Sequence, residues 1–361
     1  MASILFIAAH RPHRSPSQRY RFEQYFSYLE ANGFTYELSY IIDEKDDITF
    51  YSPGHFLKKI GIVIKAILHR ISDVRKAKQF DIVFLQREAF MAGPPVFERL
   101  LAKSRAKLVF DFDDSIWMLD TSNANKKWEW LKSTTKTKET IANADLIFAG
   151  NQYLAAYAKK ANENVIVVPT TIDTNIHKRK TAYKEAKQVC IGWSGSITTI
   201  KHFKAAVPLL TKIKNAFGDK VCFKVMGDSN YTNKELGING IAWSNDTEID
   251  TLSSFDIGIM PLPNNEWVKG KCGLKGLSYM ALEVPTIMSA VGVNTSIIND
   301  GENGYLANTD EEWFVKLSAL INSFELRKKL GAAGRKTVVE HYSQQSQKDI
   351  YLSNLKNLLT P

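Results

Sequence analysis

The chain has 361 residues, of which 44% are hydrophobic, 24% charged and 11% aromatic. These fractions exclude disordered, collagen-like and coiled-coil classes, and the length favours two domains. The formal net charge is +9, and most of it lies in residues 1–180, which hold 27 Lys and Arg against 20 Asp and Glu. Three cysteines without metal-ligand spacing favour a reducing cytoplasm. No apolar run approaches the ~18 residues that span a bilayer, so we expect a protein that is soluble or rests on a membrane.

Strand and helix patterns alternate along the chain. Runs of β-branched and aromatic residues predict six strands in the first half, at residues 4–9, 36–42, 81–86, 107–112, 145–150 and 165–169. Five more strands are predicted at residues 189–193, 221–226, 240–243, 256–262 and 285–289. Helical patterns lie at residues 17–32, 134–143, 200–216, 310–322 and 343–359. Because this alternation appears twice, it predicts two doubly wound parallel sheets, with a polar linker at residues 173–188.

Residues 56–79 form the most basic segment of the sequence. They contain seven Lys and Arg and a single acid, Asp73, while Ile60, Ile64, Leu68 and other apolar residues recur at helical spacing. The segment is therefore predicted to be a basic amphipathic helix. Two interpretations stay open: the apolar stripe packs on its own domain, or it rests on an anionic lipid surface. Nucleic acid is disfavoured, since no helix-turn-helix or aromatic-plus-basic repeat accompanies the charge.

The ends of the predicted strands hold the candidate ligand-binding residues, because ligands of open α/β sheets bind at the carboxyl ends of strands. The segment DFDD (111–114) ends one strand, and Asp113 and Asp114 are candidates to line a cleft. Alternatively, these acids cap the following turn or form a metal-binding cluster. The sequence contains neither a dinucleotide-binding G-x-G-x-x-G nor a P-loop. Its seven histidines are scattered, and no metal centre is expected.

The strongest local signal is VKGKCGLKGLSYMALEVPTIMS (268–289). Its glycines lead into a short helix, and Lys271, Lys275 and Ser278 are spaced for one helical face near the helix N-terminus. A helix N-terminus offers unpaired N–H groups and partial positive charge, so the stretch predicts a diphosphate site. GWSGSITTIKHF (192–203) repeats this pattern, with Lys201 in the first turn of a helix. For either stretch the alternative is a set of solvated lysines on a surface helix.

Taken together, several blocks resemble glycosyltransferases of the GT-B fold, most closely those of family 4, over nearly the full length. They are GWSGS with Lys201, VMGD (225–228), GIAW (240–243), SFDIGIMPL (254–262), KCGLKGLSYMALEVPTIMS (271–289), DGENGYLA (300–307), and GAAGR (331–335) followed by HYS. The resemblance implies an α/β fold with two Rossmann-like domains facing a central cleft. It implies an acceptor-binding domain at residues 1–172, onto which a C-terminal helix at 343–361 packs back. A nucleotide-sugar-binding domain would then follow the linker at residues 189–342.

The sequence also departs from the family pattern. The family's Glu-(seven residues)-Glu motif falls on Gly270 and Ser278, and its His-Asp pair falls on Asp113 and Asp114. Glu283 stands where a Gly normally ends the motif helix. The predicted donor-binding residues are Gly195, Ser196, Lys201, Gly227, Lys271, Cys272, Gly273, Leu274, Lys275 and Ser278. Asp113 and Asp114 are the candidate catalytic or hydroxyl-binding residues, and Arg14 and Ser15 are the candidates in the loop after the first strand.

The resemblance implies a retaining, metal-independent glycosyltransferase that moves a sugar from a nucleotide-diphosphate sugar to a glycan or lipid-linked acceptor in surface polysaccharide or glycoconjugate synthesis. We expect no cofactor and no nucleic acid partner. The expected location is the cytoplasm, or the inner face of the membrane through residues 56–79. Two alternatives stay open: a nucleotide-sugar epimerase of the GT-B fold, and a non-catalytic protein that binds carbohydrate or a partner.

Overall fold

The computed structural model describes residues 1–118, 135–179 and 185–360. The chain divides into two compact units, the first comprising Met1–Pro169 and Lys348–Pro361 and the second Thr170–Gln347. Residues 180–184 of the predicted linker and the first residue of the predicted 134–143 helix lie outside the described residues.

The first unit is built on a six-stranded parallel sheet. Its strands are β1 Ala2–His10, β2 Phe34–Ile42, β3 Ile82–Gln86, β4 Lys107–Phe112, β5 Leu146–Ala149 and β6 Val165–Val167. They lie in the order β2-β1-β3-β4-β5-β6, and every neighbouring pair is parallel. The helices are α1 Pro16–Arg19, α2 Phe26–Ala31, α3 Glu44–Tyr51, α4 Phe56–Ala77, α5 Val96–Ala102, α6 Lys136–Asn143 and α7 Gln152–Ala158. All residues of β3 are buried, as expected for a central strand covered on both faces.

The second unit repeats this architecture on a five-stranded parallel sheet. The strands of this sheet are β7 Val189–Ser194, β8 Val221–Met226, β11 Ile257–Met260, β12 Thr286–Ser289 and β13 Tyr305–Ala307. Between β8 and β11, β9 Thr232–Asn233 and β10 Ile238–Asn239 form a small antiparallel hairpin. The main sheet has the order β13-β12-β11-β7-β8. The helices are α8 Ile200–Phe217, α9 Glu248–Ser253, α10 Glu266–Lys269, α11 Leu274–Ala281, α12 Asn294–Ile297, α13 Asp310–Asn322 and α14 Phe324–His341. The last helix, α15 Gln344–Asn357, begins in the second unit, but its residues from Lys348 onward belong to the first unit. The predicted pair of parallel α/β sheets is thus confirmed.

Aromatic side chains fill the core of the first unit. The ring centroid of Phe6 on β1 lies 5.0 Å from that of Phe84 on β3 and 5.1 Å from that of Phe22. Tyr351 of α15 is 1% exposed and stacks on Tyr25 with a centroid distance of 4.4 Å. The last helix of the chain therefore contributes directly to the core of the first unit.

Some local predictions are wrong. Residues 240–243 form no strand, because their contribution to pairing is a single bridge between Ile241 and Met226. The predicted helix at 17–32 is broken into α1, a 3-10 turn at Glu23–Tyr25 and α2. The backbone leaves the helical conformation at Phe22, whose φ is −140°. The buried Gln18 side chain accepts a hydrogen bond from the His10 amide at 2.9 Å and donates one to the His10 carbonyl at 2.8 Å. No helix in the described part of the chain has both the length and the apolar character needed to cross a membrane.

Candidate functional site

β7 and β8 end side by side, and their ends meet at two glycines. The Gly195 amide donates to the Met226 carbonyl at 3.0 Å, and Gly227 has a φ of +119°. A Cβ atom on Gly227 would lie 1.6 Å from the Gly195 carbonyl oxygen, and one on Gly195 would lie 2.2 Å from the Trp193 ring. No side chain fits at either position, so the two strand ends meet at glycine backbone.

α8 begins directly after this turn. The Ser196 carbonyl accepts hydrogen bonds from the amides of Thr199 at 2.9 Å and Ile200 at 3.0 Å. The Ser196 side chain is exposed, and its hydroxyl lies 2.8 Å from the hydroxyl of Thr198. Lys201 occupies the first turn of α8, as predicted, so its charge adds to the partial positive charge of the helix N-terminus.

α11 begins later than the sequence pattern predicts. Gly273 caps it with a φ of +70°, and a Cβ atom there would lie 2.3 Å from Cδ1 of Ile297. Leu274 is the first helical residue, so Lys275 lies in the first turn whereas Lys271 precedes the helix. The prediction that Lys271, Lys275 and Ser278 share a helical face is therefore wrong, because the left-handed backbone of Gly273 redirects the chain before the helix starts. Cys272 is buried, with its Sγ 3.7 Å from the Gly270 carbonyl.

The predicted lysines lie against two tryptophan rings. The Lys271 Nζ lies 3.7 Å and the Lys201 Nζ 5.3 Å from the centroid of the Trp267 ring on α10. The Lys275 Nζ lies 5.7 Å from the centroid of Trp193 at the end of β7. Cation–π attraction of this kind positions the ammonium groups. Lys201, Lys271 and Lys275 are called the lysine cluster below, and they concentrate positive charge beside the first turns of α8 and α11.

The residues that follow Lys275 fix the orientation of α11. Ser278 is 5% exposed, and its hydroxyl donates to the Leu274 carbonyl at 2.9 Å. Since a serine has one O–H, Ser278 in this state could only accept a hydrogen bond from a ribose hydroxyl. The Tyr279 hydroxyl accepts a hydrogen bond from the Ser194 amide at 2.7 Å, which ties α11 to the end of β7.

In the first unit, the first acid of the DFDD segment belongs to the core. Asp111 is 0% exposed and Arg21 is 1% exposed, and the Arg21 Nε donates to Asp111 Oδ1 at 3.1 Å. Arg21 also donates to the Val168 carbonyl. Burial raises the pKa of Asp111, while the positive charge of Arg21 acts in the opposite direction. Asp111 therefore stabilises the fold and is not available to a substrate.

The other two acids of the segment lie less deeply. Arg87 directly follows β3, and its Nε donates to Asp113 Oδ1 at 2.7 Å. Burial would raise the pKa of Asp113, but the charge and hydrogen bond of Arg87 outweigh it and lower the pKa below its ordinary value. Asp113 is therefore an ionised carboxylate of low basicity, suited to accept hydrogen bonds from hydroxyl groups. Asp114 Oδ1 accepts a hydrogen bond from the Ser115 amide at 3.0 Å.

The loop after β1 holds the remaining predicted residues. The Arg14 Nε donates to Asp47 Oδ2 at 2.6 Å, and the Arg11 Nη1 donates to the same oxygen at 2.8 Å. In this arrangement the negative charge of Asp47 is shared between Arg14 and Arg11. Ser15 precedes α1, and its carbonyl accepts a hydrogen bond from the Gln18 amide at 3.0 Å.

Two residues of these arrangements were not predicted from the sequence. Trp267 directly precedes the glycine-rich stretch (268–289) and stands four positions before Lys271, so its nearness along the chain was a usable signal. Arg87 directly follows β3, and the rule that ligands meet the carboxyl ends of strands points to it. Within residues 1–118, 135–179 and 185–360, no three His, Cys, Asp or Glu side chains are grouped so that they could hold a metal ion. Metal independence stays a prediction.

A known family model matches most of the second unit. Residues 188–323 match the family model described as "Glycosyl transferases group 1". This range contains the lysine cluster and all other predicted donor-binding residues. No curated protein sequence matches the chain.

Solved structures resemble the chain over its whole length. A glycosyltransferase from Rickettsia africae ESF-5 is 16% identical, with 99% of each chain covered and a TM-score of 0.67. Sucrose-phosphate synthase from Thermosynechococcus elongatus is 12% identical, with 99% of each chain covered and a TM-score of 0.71. The chain has the GT-B fold. Anabaena Alr3699/HepE in complex with UDP and glucose shares this GT-B fold at 13% identity and a TM-score of 0.65, with 99% of this chain and 100% of that chain covered.

The predicted resemblance to GT-B glycosyltransferases is thereby confirmed. At these identities the likeness to solved structures is one of fold. The UDP and glucose named above are ligands of the Anabaena protein.

Proposed function

We propose that the protein is a retaining, metal-independent glycosyltransferase that uses a nucleotide-diphosphate sugar and works in the cytoplasm. The acceptor would be a glycan or a lipid-linked glycan in surface polysaccharide or glycoconjugate synthesis. The lysine cluster carries this proposal: Lys201 and Lys271 lie 5.3 and 3.7 Å from the centroid of one Trp267 ring, beside the first turns of two helices. Cations at helix N-termini, with bare glycine backbone nearby, suit a diphosphate.

The chemistry that the cluster would support is departure of the diphosphate. The bond between the anomeric carbon and the phosphate oxygen breaks, and negative charge develops on the leaving group. Preorganised positive charge at that position stabilises the transition state more than the ground state, so it accelerates the reaction. Lys275, in the first turn of α11, and Lys271, three residues before that helix begins, would supply this charge together with the amides of Gly273 and Leu274.

A retaining reaction without a protein nucleophile agrees with the properties of Asp113. The acceptor hydroxyl would attack the anomeric carbon from the side of the leaving group, and its proton would pass to a diphosphate oxygen. Asp113 is a weak base, because Arg87 lowers its pKa, and it would hold a sugar or acceptor hydroxyl without removing the proton. Nuclear magnetic resonance of the product would show the retained anomeric configuration, and an inverted product would contradict this mechanism.

Removing one lysine tests the donor site. A charge-assisted hydrogen bond is worth roughly 1.5–3 kcal/mol, so we expect Lys275→Ala to weaken nucleoside diphosphate binding about ten- to a hundredfold, and Lys271→Ala to act similarly. The measurement is calorimetric titration with uridine diphosphate and, separately, guanosine diphosphate. Uridine diphosphate is chosen because a solved protein of the same fold holds UDP and glucose.

Lys212→Ala provides the matched control for this titration. Lys212 is exposed on α8, so the variant loses the same charge from the same unit. It lies eleven residues beyond Lys201, about 16 Å along the helix, where salt screens its effect on the cluster. Equal affinities for the wild-type protein and both cluster variants would exclude the lysine cluster as the donor site.

Metal independence is tested by the same titration. We expect the affinity for uridine diphosphate to be the same with EDTA as with manganese, because the lysine cluster neutralises the diphosphate. Turnover with a panel of nucleotide sugars should likewise persist in EDTA. If chelation abolishes binding and manganese restores it, the neutralising role proposed for the lysines is wrong.

A further inference from the structure

α4 covers the first unit with a narrow stripe of mostly small or polar side chains. The buried positions follow one another at intervals of three or four residues and are Ile62, Ala66, Arg70, Asp73 and Ala77. Two of the five are alanines, which allow the helix to approach the sheet closely, and two form an ion pair with an N–O distance of 2.6 Å. Ile62 is the one large apolar side chain that this helix buries fully.

The large apolar residues of α4 face the solvent instead. Seven of the seventeen exposed large apolar side chains in the described part of the chain lie on this helix, and they are Phe56, Leu57, Ile60, Val63, Ile64, Leu68 and Ile71. Leu57 is 82% and Leu68 62% exposed. This is the stripe that the sequence pattern identifies, and the interpretation that it packs on its own domain is wrong. An exposed apolar face of this size marks an interaction site.

Basic side chains adjoin this apolar face: at about 100° per residue, Lys58 and Lys65 lie along one side of it, and Arg75 and Lys78 continue it toward the C-terminus of the helix. Lys58, Lys65, Arg75 and Lys78 are exposed, whereas the single acid of the helix, Asp73, is fully buried against Arg70. Lys65 forms ion pairs with two acids, Asp43 directly before α3 and Asp46 within α3. Its Nζ lies 2.6 Å from a carboxylate oxygen of each. The solvent side of α4 is therefore apolar and positive, and its complement is a surface that is apolar and negative.

We propose that α4 lies in the interface of an anionic lipid bilayer, with Leu57, Ile64 and Leu68 inserted and Lys58, Arg75 and Lys78 at the headgroups. The exposed apolar residues run from Phe56 to Ile71 of this 22-residue helix, a length of about 24 Å. An exposed apolar face accompanied by cations, on a helix of low overall hydrophobicity, is the pattern of helices that lie in the plane of a membrane. Membrane binding is independent of the proposed function, whereas the inference that it brings the enzyme to a lipid-linked acceptor rests on that function.

Sedimentation of the full chain with vesicles tests the proposal. The wild-type protein should bind phosphatidylglycerol-containing vesicles at low salt, bind pure phosphatidylcholine vesicles less, and be released from the anionic vesicles as salt rises. Leu57→Gln/Ile64→Gln/Leu68→Gln should weaken partitioning at least about tenfold, because the inserted apolar area is lost. Lys58→Gln/Arg75→Gln/Lys78→Gln should weaken it about ten- to a hundredfold at low salt, with a smaller difference at high salt.

Three exposed apolar residues of the second unit give the matched control. Ile176→Gln/Val315→Gln/Val339→Gln removes residues that are 62%, 64% and 43% exposed, and it should leave vesicle binding unchanged. Equal binding of the wild-type protein and the α4 apolar variant, or no binding to anionic vesicles at low salt, would overturn the proposal. So would a dimer of the wild-type protein in sedimentation velocity that the α4 variant converts to a monomer, since the face would then bind a second copy. Titration of every variant with uridine diphosphate in lipid-free buffer reports separately on the proposed function.

Discussion

Gly227→Ala is expected to abolish measurable donor binding and to destabilise the second unit by about 2–5 kcal/mol. The added Cβ would lie 1.6 Å from the Gly195 carbonyl oxygen, and backbone atoms cannot move aside as a flexible side chain can. The φ of +119° at Gly227 adds strain for any residue with a Cβ. Such backbone strain and overpacking each cost about 1–3 kcal/mol. Relief of the clash would separate the ends of β7 and β8, where the donor is proposed to bind.

The matched control is Gly237→Ala in the same unit. Gly237 also has a positive φ, +66°, but a Cβ there would meet no atom within 4 Å. This variant should lose about 1 kcal/mol from the conformational term alone and keep its affinity for uridine diphosphate. Urea unfolding and calorimetric titration measure the two effects. Equal behaviour of the two alanine variants would show that the contact between the strand ends is unimportant for the site.

Arg21→Met is expected to destabilise the first unit by about 3–5 kcal/mol. The substitution leaves the carboxylate of Asp111, which is 0% exposed, without its cation, and an uncompensated buried charge is among the most costly changes in a protein. It also removes the donor to the Val168 carbonyl. Urea unfolding of the first unit measures the loss, and the double variant Arg21→Met/Asp111→Leu should recover a large part of it because no buried charge remains.

An exposed ion pair of the same unit serves as the control. The Arg99 Nε donates to Glu139 Oε2 at 2.8 Å, but the two side chains are 51% and 34% exposed. Arg99→Met should therefore change the free energy of unfolding by less than about 1 kcal/mol. A comparable loss in Arg21→Met and Arg99→Met would mean that burial of the Arg21–Asp111 pair does not determine its contribution.

Local features of the sequence determined the two parallel sheets and most helix positions. Continuous apolar runs predict buried parallel strands without reference to distant residues. GWSGS leads into α8 because its glycines and serines favour a turn followed by a helix. The resemblance likewise marked residue 283 as a position where glycine is usual, and Glu283 has a φ of +59°. Such features depend on a few residues that are close in the sequence, so they can be predicted without the tertiary structure.

Tertiary structure decided the properties on which function depends. The sequence shows three acids in DFDD, but only the positions of Arg21 and Arg87 make Asp111 a core residue and Asp113 an edge carboxylate. Residue spacing predicted that Lys271 lies on the same helix as Lys275, but α11 begins three residues after Lys271. Lys271 and Lys201 instead lie against the same Trp267 ring. A helical period shows which residues of α4 share a face, but not which face the rest of the protein covers. That depends on the shapes and partners of distant residues, and here it buries Ala66 and leaves Leu68 exposed.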